Sequence, residues 1–372
     1  MKARSYFSIA GAICLLLFSN LADAREQWTK QEANAWYDNQ PWLLGANYTP
    51  STAVNQIEMW HEDTFDLATI DKELGIASSI GMNTVRVFLH NLIWENDRQG
   101  FFERIDKFLE SGNNNNIKVL FVLFDSDWDP NPVYGKQQAP VPGVHNSRWV
   151  QSPGEERLKS ESQYHKLEEY VKDMIGRYAD DPRVIGWDLW NEPSNTSAGL
   201  YDSLPDKNKY VALLLPQVYD WARSANPTQP LTSGLWSGSH WDDFEQLGEI
   251  EKIQIGQSDI ISFHDYSWPE IFEARVKQLA SYGRPIIATE YMARGSGSTF
   301  DGTLPLGKKY NVGMYNWGLI DGKTQTRLPW DSWYNPYTQR EPIIWFHDIF
   351  HSDGKPYRQA EIDLIKKLSG KD

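Results

Sequence analysis

Two glutamates close short apolar runs: Glu192 in Trp187-Asp188-Leu189-Trp190-Asn191-Glu192-Pro193, and Glu290 in Pro285-Ile286-Ile287-Ala288-Thr289-Glu290-Tyr291. Each run reads as a parallel strand buried on both faces, so each carboxyl is delivered at a strand end. Two carboxyls brought together in this way can divide a displacement at an anomeric carbon. One protonates the leaving oxygen and later activates water, while the other attacks carbon; this is the retaining route of glycoside cleavage.

A pair of strand ends needs a scaffold that closes them on one another. Candidate strands run from Leu43 to Asn47, Thr84 to Leu89, Val119 to Phe124, Val184 to Trp190, Leu231 to Leu235, Ile260 to His264, Pro285 to Glu290 and Gly313 to Trp317. Helical spacing recurs between them, as in Leu67, Ile70, Leu74, Ala77 and Ile80, in Tyr164, Leu167, Val171, Met174 and Tyr178, and in Tyr210, Leu213, Leu214, Val218 and Trp221. Strands alternating with helices in this number predict an α/β fold, a (β/α)8 TIM barrel, whose chemistry sits at the C-terminal ends of its strands. Two connections on that face are long, from Asp125 to about Ser160 and from about Gly318 to Asp348, and both are rich in Trp, Tyr and Pro. A final helix from Gln359 to Leu368 closes the barrel.

The first 24 residues stand apart from this pattern. Lys2 and Arg4 are followed by an apolar stretch, Ile9 to Phe18, and by Ala22-Asp23-Ala24. That is the layout of a secretory leader, too short to span a membrane, so the mature chain is expected to be residues 25–372, one barrel domain, secreted or periplasmic. The one cysteine, Cys14, lies inside the leader, which leaves the mature chain without disulfides, a thiol nucleophile or thiolate ligands. A net charge of −14 argues against nucleic acid or an anionic membrane as partner. The 17 Trp and 18 Tyr cluster in polar, Pro/Gly-rich segments, where exposed rings suit the apolar faces of sugars.

Read together, Trp190-Asn191-Glu192-Pro193 and Thr289-Glu290-Tyr291 resemble the acid/base and nucleophile motifs of clan A retaining glycoside hydrolases. Arg86 after the second strand, His264 and Tyr266 after the sixth and Trp317 on the eighth extend the resemblance to family 5, the cellulase and mannanase family. One position departs from the pattern. The third strand ends Leu123-Phe124-Asp125-Ser126-Asp127 in place of the usual histidine, and His90 is positioned to fill some of that space.

The resemblance implies a retaining β-glycoside hydrolase acting on β-linked oligo- or polysaccharides of mannoside or glucoside type. Glu192 is the implied acid/base and Glu290 the nucleophile, with carboxyls about 5–5.5 Å apart. Arg86 is expected to lower the pKa of Glu290 and Tyr266 to hydrogen-bond it. Asn191 is expected at the sugar 2-hydroxyl, Trp317 beneath the ring, and His264, Asp125, Trp128 and Trp330 among the substrate contacts. Bulky loops favour a pocket for short oligosaccharides or chain ends over an open endo-acting cleft, with Trp128, Trp149, Trp330 and Trp333 as wall candidates; Asp125 and Asp127 read equally well as loop caps. A transglycosylase would use the same site, and a non-catalytic carbohydrate-binding barrel is the outside alternative. No cofactor or metal is expected, because His240, Asp242, Asp243, His264 and Asp265 lack metal-site spacing. Sugar, linkage and oligomeric state stay open.

Overall fold

The computed structural model describes residues 24–202 and 204–371, so the expected leader lies, but for its last residue, outside the described residues. Eight parallel strands form the sheet: β1 (Leu44–Asn47), β2 (Thr84–Phe88), β3 (Lys118–Asp125), β4 (Val184–Asn191), β5 (Leu231–Thr232), β6 (Ile261–His264), β7 (Ile286–Tyr291) and β8 (Gly313–Trp317). Their order is β5-β4-β3-β2-β1-β8-β7-β6, and β1 pairs with both β2 and β8. The ring closes between β5 and β6 through a single bridge. The Leu235 amide donates to Ser262 O at 3.0 Å and the His264 amide to Leu235 O at 2.7 Å. Apart from the first residue of β3, every strand residue is buried, which is why these segments are continuous apolar runs.

β5 is shorter than the expected Leu231–Leu235. Its ladder stops after Thr232, where the chain presses against His264: a Cβ added at Gly234 would stand 2.8 Å from His264 Nε2. Glycine lets the backbone form part of that imidazole's seat. β7 runs past Glu290 to Tyr291, and its register against β6 shifts between Phe263 and His264. Irregularities of this kind re-aim side chains at barrel rims.

Helices cover the outside, among them Leu67–Ser79, Asn91–Asn114, Tyr164–Arg177, Lys207–Ser224, Pro269–Ala280 and Gln359–Ser369. Ile70, Leu74, Leu167, Val171, Met174, Leu214 and Val218 face inward as their spacing predicts. Leu213 does not: it is 46% exposed, because the buried stripe of its helix runs through Val211, Leu214, Leu215, Val218 and Ala222. A further helix, Lys30–Asp38, caps the barrel floor, burying Ala33 and Tyr37 against Leu43, Leu120, Ile185, Ile260 and Ile287. Thr29 and Glu32 form its capping box, a signature legible in the sequence. No described helix is long and apolar enough to cross a membrane.

The two long connections hold each other. Tyr337 N donates to Gly143 O at 2.8 Å, Asn146 N to Thr324 O at 2.7 Å and His145 N to Ser332 Oγ at 2.9 Å. Gly143 has φ +75°, and a Cβ there would meet the Tyr337 backbone at 2.6 Å, so the join requires glycine.

Candidate active site

The strand ends bring Glu192 and Glu290 face to face. One oxygen of each, together with a ring nitrogen of His264, lies within 4.8 Å of the others. Glu192 follows β4 directly with φ +41°, turning the chain at once into Pro193. Its Oε2 accepts from Asn195 Nδ2 at 2.6 Å, and its Oε1 lies 2.6 Å from His264 Nδ1. Glu290 Oε1 accepts from Arg86 Nη1 at 2.9 Å, and Oε2 from Tyr266 Oη at 2.8 Å.

Arg86, on β2, is fully buried and organises the floor of the site. Its Nε and Nη2 donate to Asp188 Oδ2 at 3.0 and 2.8 Å, Nη1 also donates to Asn47 Oδ1 at 2.7 Å, and Nη2 donates to Asn191 Oδ1 at 2.6 Å. Asn191 in turn donates its Nδ2 to Asp125 Oδ1 at 2.9 Å and to Asp127 Oδ2 at 3.3 Å. Truncating Arg86 strands Asp188 and Glu290 as unpaired buried charges. We expect Arg86→Ala to cost about 3–5 kcal/mol of stability, read by chemical denaturation.

A cavity of about 560 Å³ opens above this floor, within the size range of small-ligand sites. Glu192 and Glu290 line it with Asp127, Tyr266 and Trp317, and with an aromatic wall from the two long loops: Trp128, Trp330, Trp333 and Tyr334. Trp128 stacks on Trp333, ring centres 4.9 Å apart and planes at 10°, so the two loops also meet through their rings. Trp330 packs edge-on against Tyr266 at 5.2 Å.

The sequence profile described as Cellulase (glycosyl hydrolase family 5) matches residues 45–336, most of the chain and all eight strands but the first residue of β1. The chain belongs to glycosyl hydrolase family 5. Two proteins of Aspergillus flavus and Aspergillus oryzae, each named probable mannan endo-1,4-beta-mannosidase F, are 25% identical to it over 210 residues. That match covers 53% of this chain and 43% of each relative, so the chain spans less than half the length of the relatives it matches. Among solved structures, GH5_18 of Streptomyces cattleya, crystallised with Manb1-4GlcNAc, aligns with a TM-score of 0.60 at 14% identity, over 88% of this chain and 80% of that one. The exo-beta-1,4-mannosidase of Opitutaceae bacterium strain TAV5 gives 0.57 at 15% identity, over 88% and 59%. The endo-1,4-beta-mannanase of Rhizomucor miehei gives 0.57 at 14% identity, over 88% and 97%. At these identities the likeness is one of fold.

The electrostatics of this family 5 barrel separate its two glutamates. Burial pushes the Glu192 carboxyl up to about 7, against the pull of Asn195 and Arg86. Burial also raises Glu290, opposed by His264, Arg86 and the Tyr266 hydrogen bond. The expected lowering by Arg86 is therefore present but outweighed, since the guanidinium is shared with Asp188 and Glu290 is buried. Burial pushes His264 down to about 4, which leaves the imidazole neutral at ordinary pH. Glu192, His264 and Glu290 are also the described residues grouped as metal ligands would be, but a cation there would have to displace the Glu192–His264 contact and share Glu290 with Arg86.

Several residues sit elsewhere than their expected place. His90 does not line the cavity: it caps helix Asn91–Asn114, accepting from Leu92 N at 3.1 Å, while its Nε2 lies 3.0 Å from Gln151 O. Asp125 faces away from the cavity. Its oxygens take Asn191 Nδ2, Asp127 N, Trp149 Nε1 at 2.6 Å and Gln56 Nε2 at 3.2 Å. Trp149 is buried behind Trp317 and does not form wall. His264 touches both glutamates and has a buried Nε2 without a hydrogen-bond partner among the described residues. The cavity further exposes Asn195, His145, Trp236 and Asp331, none singled out from sequence. Trp236 falls in the Trp-rich segment just after β5, a usable signal; for Asn195 nothing beyond nearness to Glu192 marked it.

Proposed function

We propose that this chain is a retaining β-glycoside hydrolase for β-linked saccharides of mannoside or glucoside type, and that it takes short oligosaccharides or chain ends. The reading rests on one observation: two carboxyls within 4.8 Å, one surrounded to hold a proton and one clamped by a guanidinium and a phenol. Retaining enzymes keep their carboxyls about 5–5.5 Å apart, whereas inverting enzymes leave room for a water at about 6.5–9.5 Å. Glu192 donates its proton to the glycosidic oxygen as Glu290 attacks the anomeric carbon. Glu192, now a carboxylate, then takes a proton from the water that releases the sugar from Glu290. Asn191 offers the 2-hydroxyl the N–H that it holds toward Asp127 at 3.3 Å, the longer of its two bonds. Trp317 supplies the face beneath the ring. Names of the relatives, both endo- and exo-acting on mannans, support a β-mannoside. Residues 1–24 act, on this reading, as an export leader before a single catalytic domain, 25–372.

The loop-to-loop join supports action at a chain end, because Trp128 and Trp333 stack in the cavity wall and the Tyr337–Gly143 hydrogen bond ties their loops together. Hydrolysis of an aryl β-glycoside followed by NMR should show the β-anomer as first product; an α-anomer sinks the two-glutamate assignment. On soluble β-mannan or mixed-linkage β-glucan, reducing sugar should rise with little early loss of viscosity. A steep early fall means internal cleavage. Product analysis with added sugar acceptor separates hydrolysis from transfer, which shares the covalent intermediate.

A further inference from the structure

Five carboxyls crowd this site, Asp125, Asp127, Asp188, Glu192 and Glu290, against two cations, Arg86 and Lys207. Charges taken out of water without partners are costly, so the carboxyl with the fewest donors is the one to hold a proton. Asp125 accepts four hydrogen bonds. Asp188 and Glu290 share the Arg86 guanidinium, and Glu290 also has Tyr266. Among the described residues Asp127 has a single donor, Asn191 Nδ2 at 3.3 Å, while its Oδ1 is out of solvent and meets none. The ammonium nearest it is already spent: Lys207 Nζ donates to Ser126 O at 3.1 Å, Gln151 Oε1 at 3.2 Å and Asn195 O at 2.5 Å. Yet Asp127 lines the same cavity as Glu192, whose carboxyl is an acceptor for the O–H that the unsupplied oxygen of Asp127 would carry.

We infer that Asp127 is a resident carboxylic acid whose O–H donates to Glu192, a positioning residue for the acid/base group. The catalytic half of this statement rests on the roles proposed above; the protonation of Asp127 does not. Burial and the charges of Glu192, Asp125 and Glu290 all push the Asp127 carboxyl well above the ordinary carboxylate range, opposed by Lys207, while the neighbouring His264 is neutral. When Glu192 gives its proton to the leaving oxygen, the Asp127 O–H supports the carboxylate left behind. Asp127 keeps its own proton through both steps, and water later returns one to Glu192. A substrate hydroxyl that takes the Asn191 N–H removes the last donor to Asp127 and strengthens its need for that proton.

Two measurements decide it. In the resting protein at a pH where Glu192 is ionised, the infrared difference between wild type and Asp127→Asn should contain the C=O stretch of a protonated carboxylic acid. Its absence overturns the inference, whether or not the protein cleaves glycosides. In turnover, Asp127→Ala should move the alkaline limb of kcat/KM up by about one pH unit, tenfold in proton affinity of Glu192, because a donor to its carboxylate is lost. Asp127→Asn retains an N–H donor and should keep the wild-type limb. A downward shift in Asp127→Ala means that Asp127 was ionised, and an unmoved limb means that it does not reach Glu192; either result overturns the role.

Discussion

Replacing Glu290 by alanine removes turnover, with a loss on the order of 10⁵-fold on every β-glycoside tested, because no other group can form the covalent intermediate. Tyr266 and Arg86 lose the carboxylate that they hold at 2.8 and 2.9 Å, but both keep ring packing or other partners, Asp188 in the case of Arg86. The variant should therefore still fold, which a circular dichroism melt checks. A good leaving group does not restore it, since the first bond to carbon is what is missing. Activity on an activated aryl glycoside comparable with wild type would assign the nucleophile elsewhere.

Glu192→Ala should behave differently, and the contrast is the sharper test. On natural saccharides it should lose about 10²–10⁴-fold, the worth of a positioned general acid, while substrates with acidic phenol leaving groups lose less in the first step. Azide should restore part of the rate with such substrates by attacking the sugar bound to Glu290, yielding a β-glycosyl azide. The pH dependence follows from the burial that pushes Glu192 up to about 7. Burial disfavours the charged form, so the proton needed for catalysis is held below that pH and lost above it. The wild-type kcat/KM on a natural saccharide should fall as pH rises through about 7, and Glu192→Ala should lack that limb. Rescue of Glu290→Ala with Glu192→Ala unrescued would reverse the assignment.

The strand ends were legible because a barrel strand buried on both faces has to be apolar and β-branched, and a polar side chain closing such a run has a reason to be there. That logic reached Glu192, Glu290, Arg86, Tyr266 and Trp317, which the fold brings to one floor. It failed at β3, where it places Asp125 among the substrate contacts and gives Asp127, two residues on, no role beyond the loop-cap reading that both share. Their contacts differ: Asp125 is enclosed by Trp149, Gln56 and Asn191, and Asp127 lies on the cavity. Two residues of the same type, one on the strand end and one just beyond it, carry no local mark of what packs above them.

Legible along the chain were the alternation of strands and helices, the two carboxyls at the C-terminal ends of β4 and β7, and the two bulky loops that had to lie on the catalytic rim. Those features are set by periodicity and by residue type, which act over a few positions. The tertiary structure alone decided that His90 caps a helix, that Trp149 lies beneath Trp317 while Trp128 stacks on Trp333, and that Gly143 is pressed against Tyr337. Each of these joins residues far apart in the chain. Such contacts follow from which surfaces meet once the barrel has closed, and spacing along one segment holds no information about the segment that will cover it.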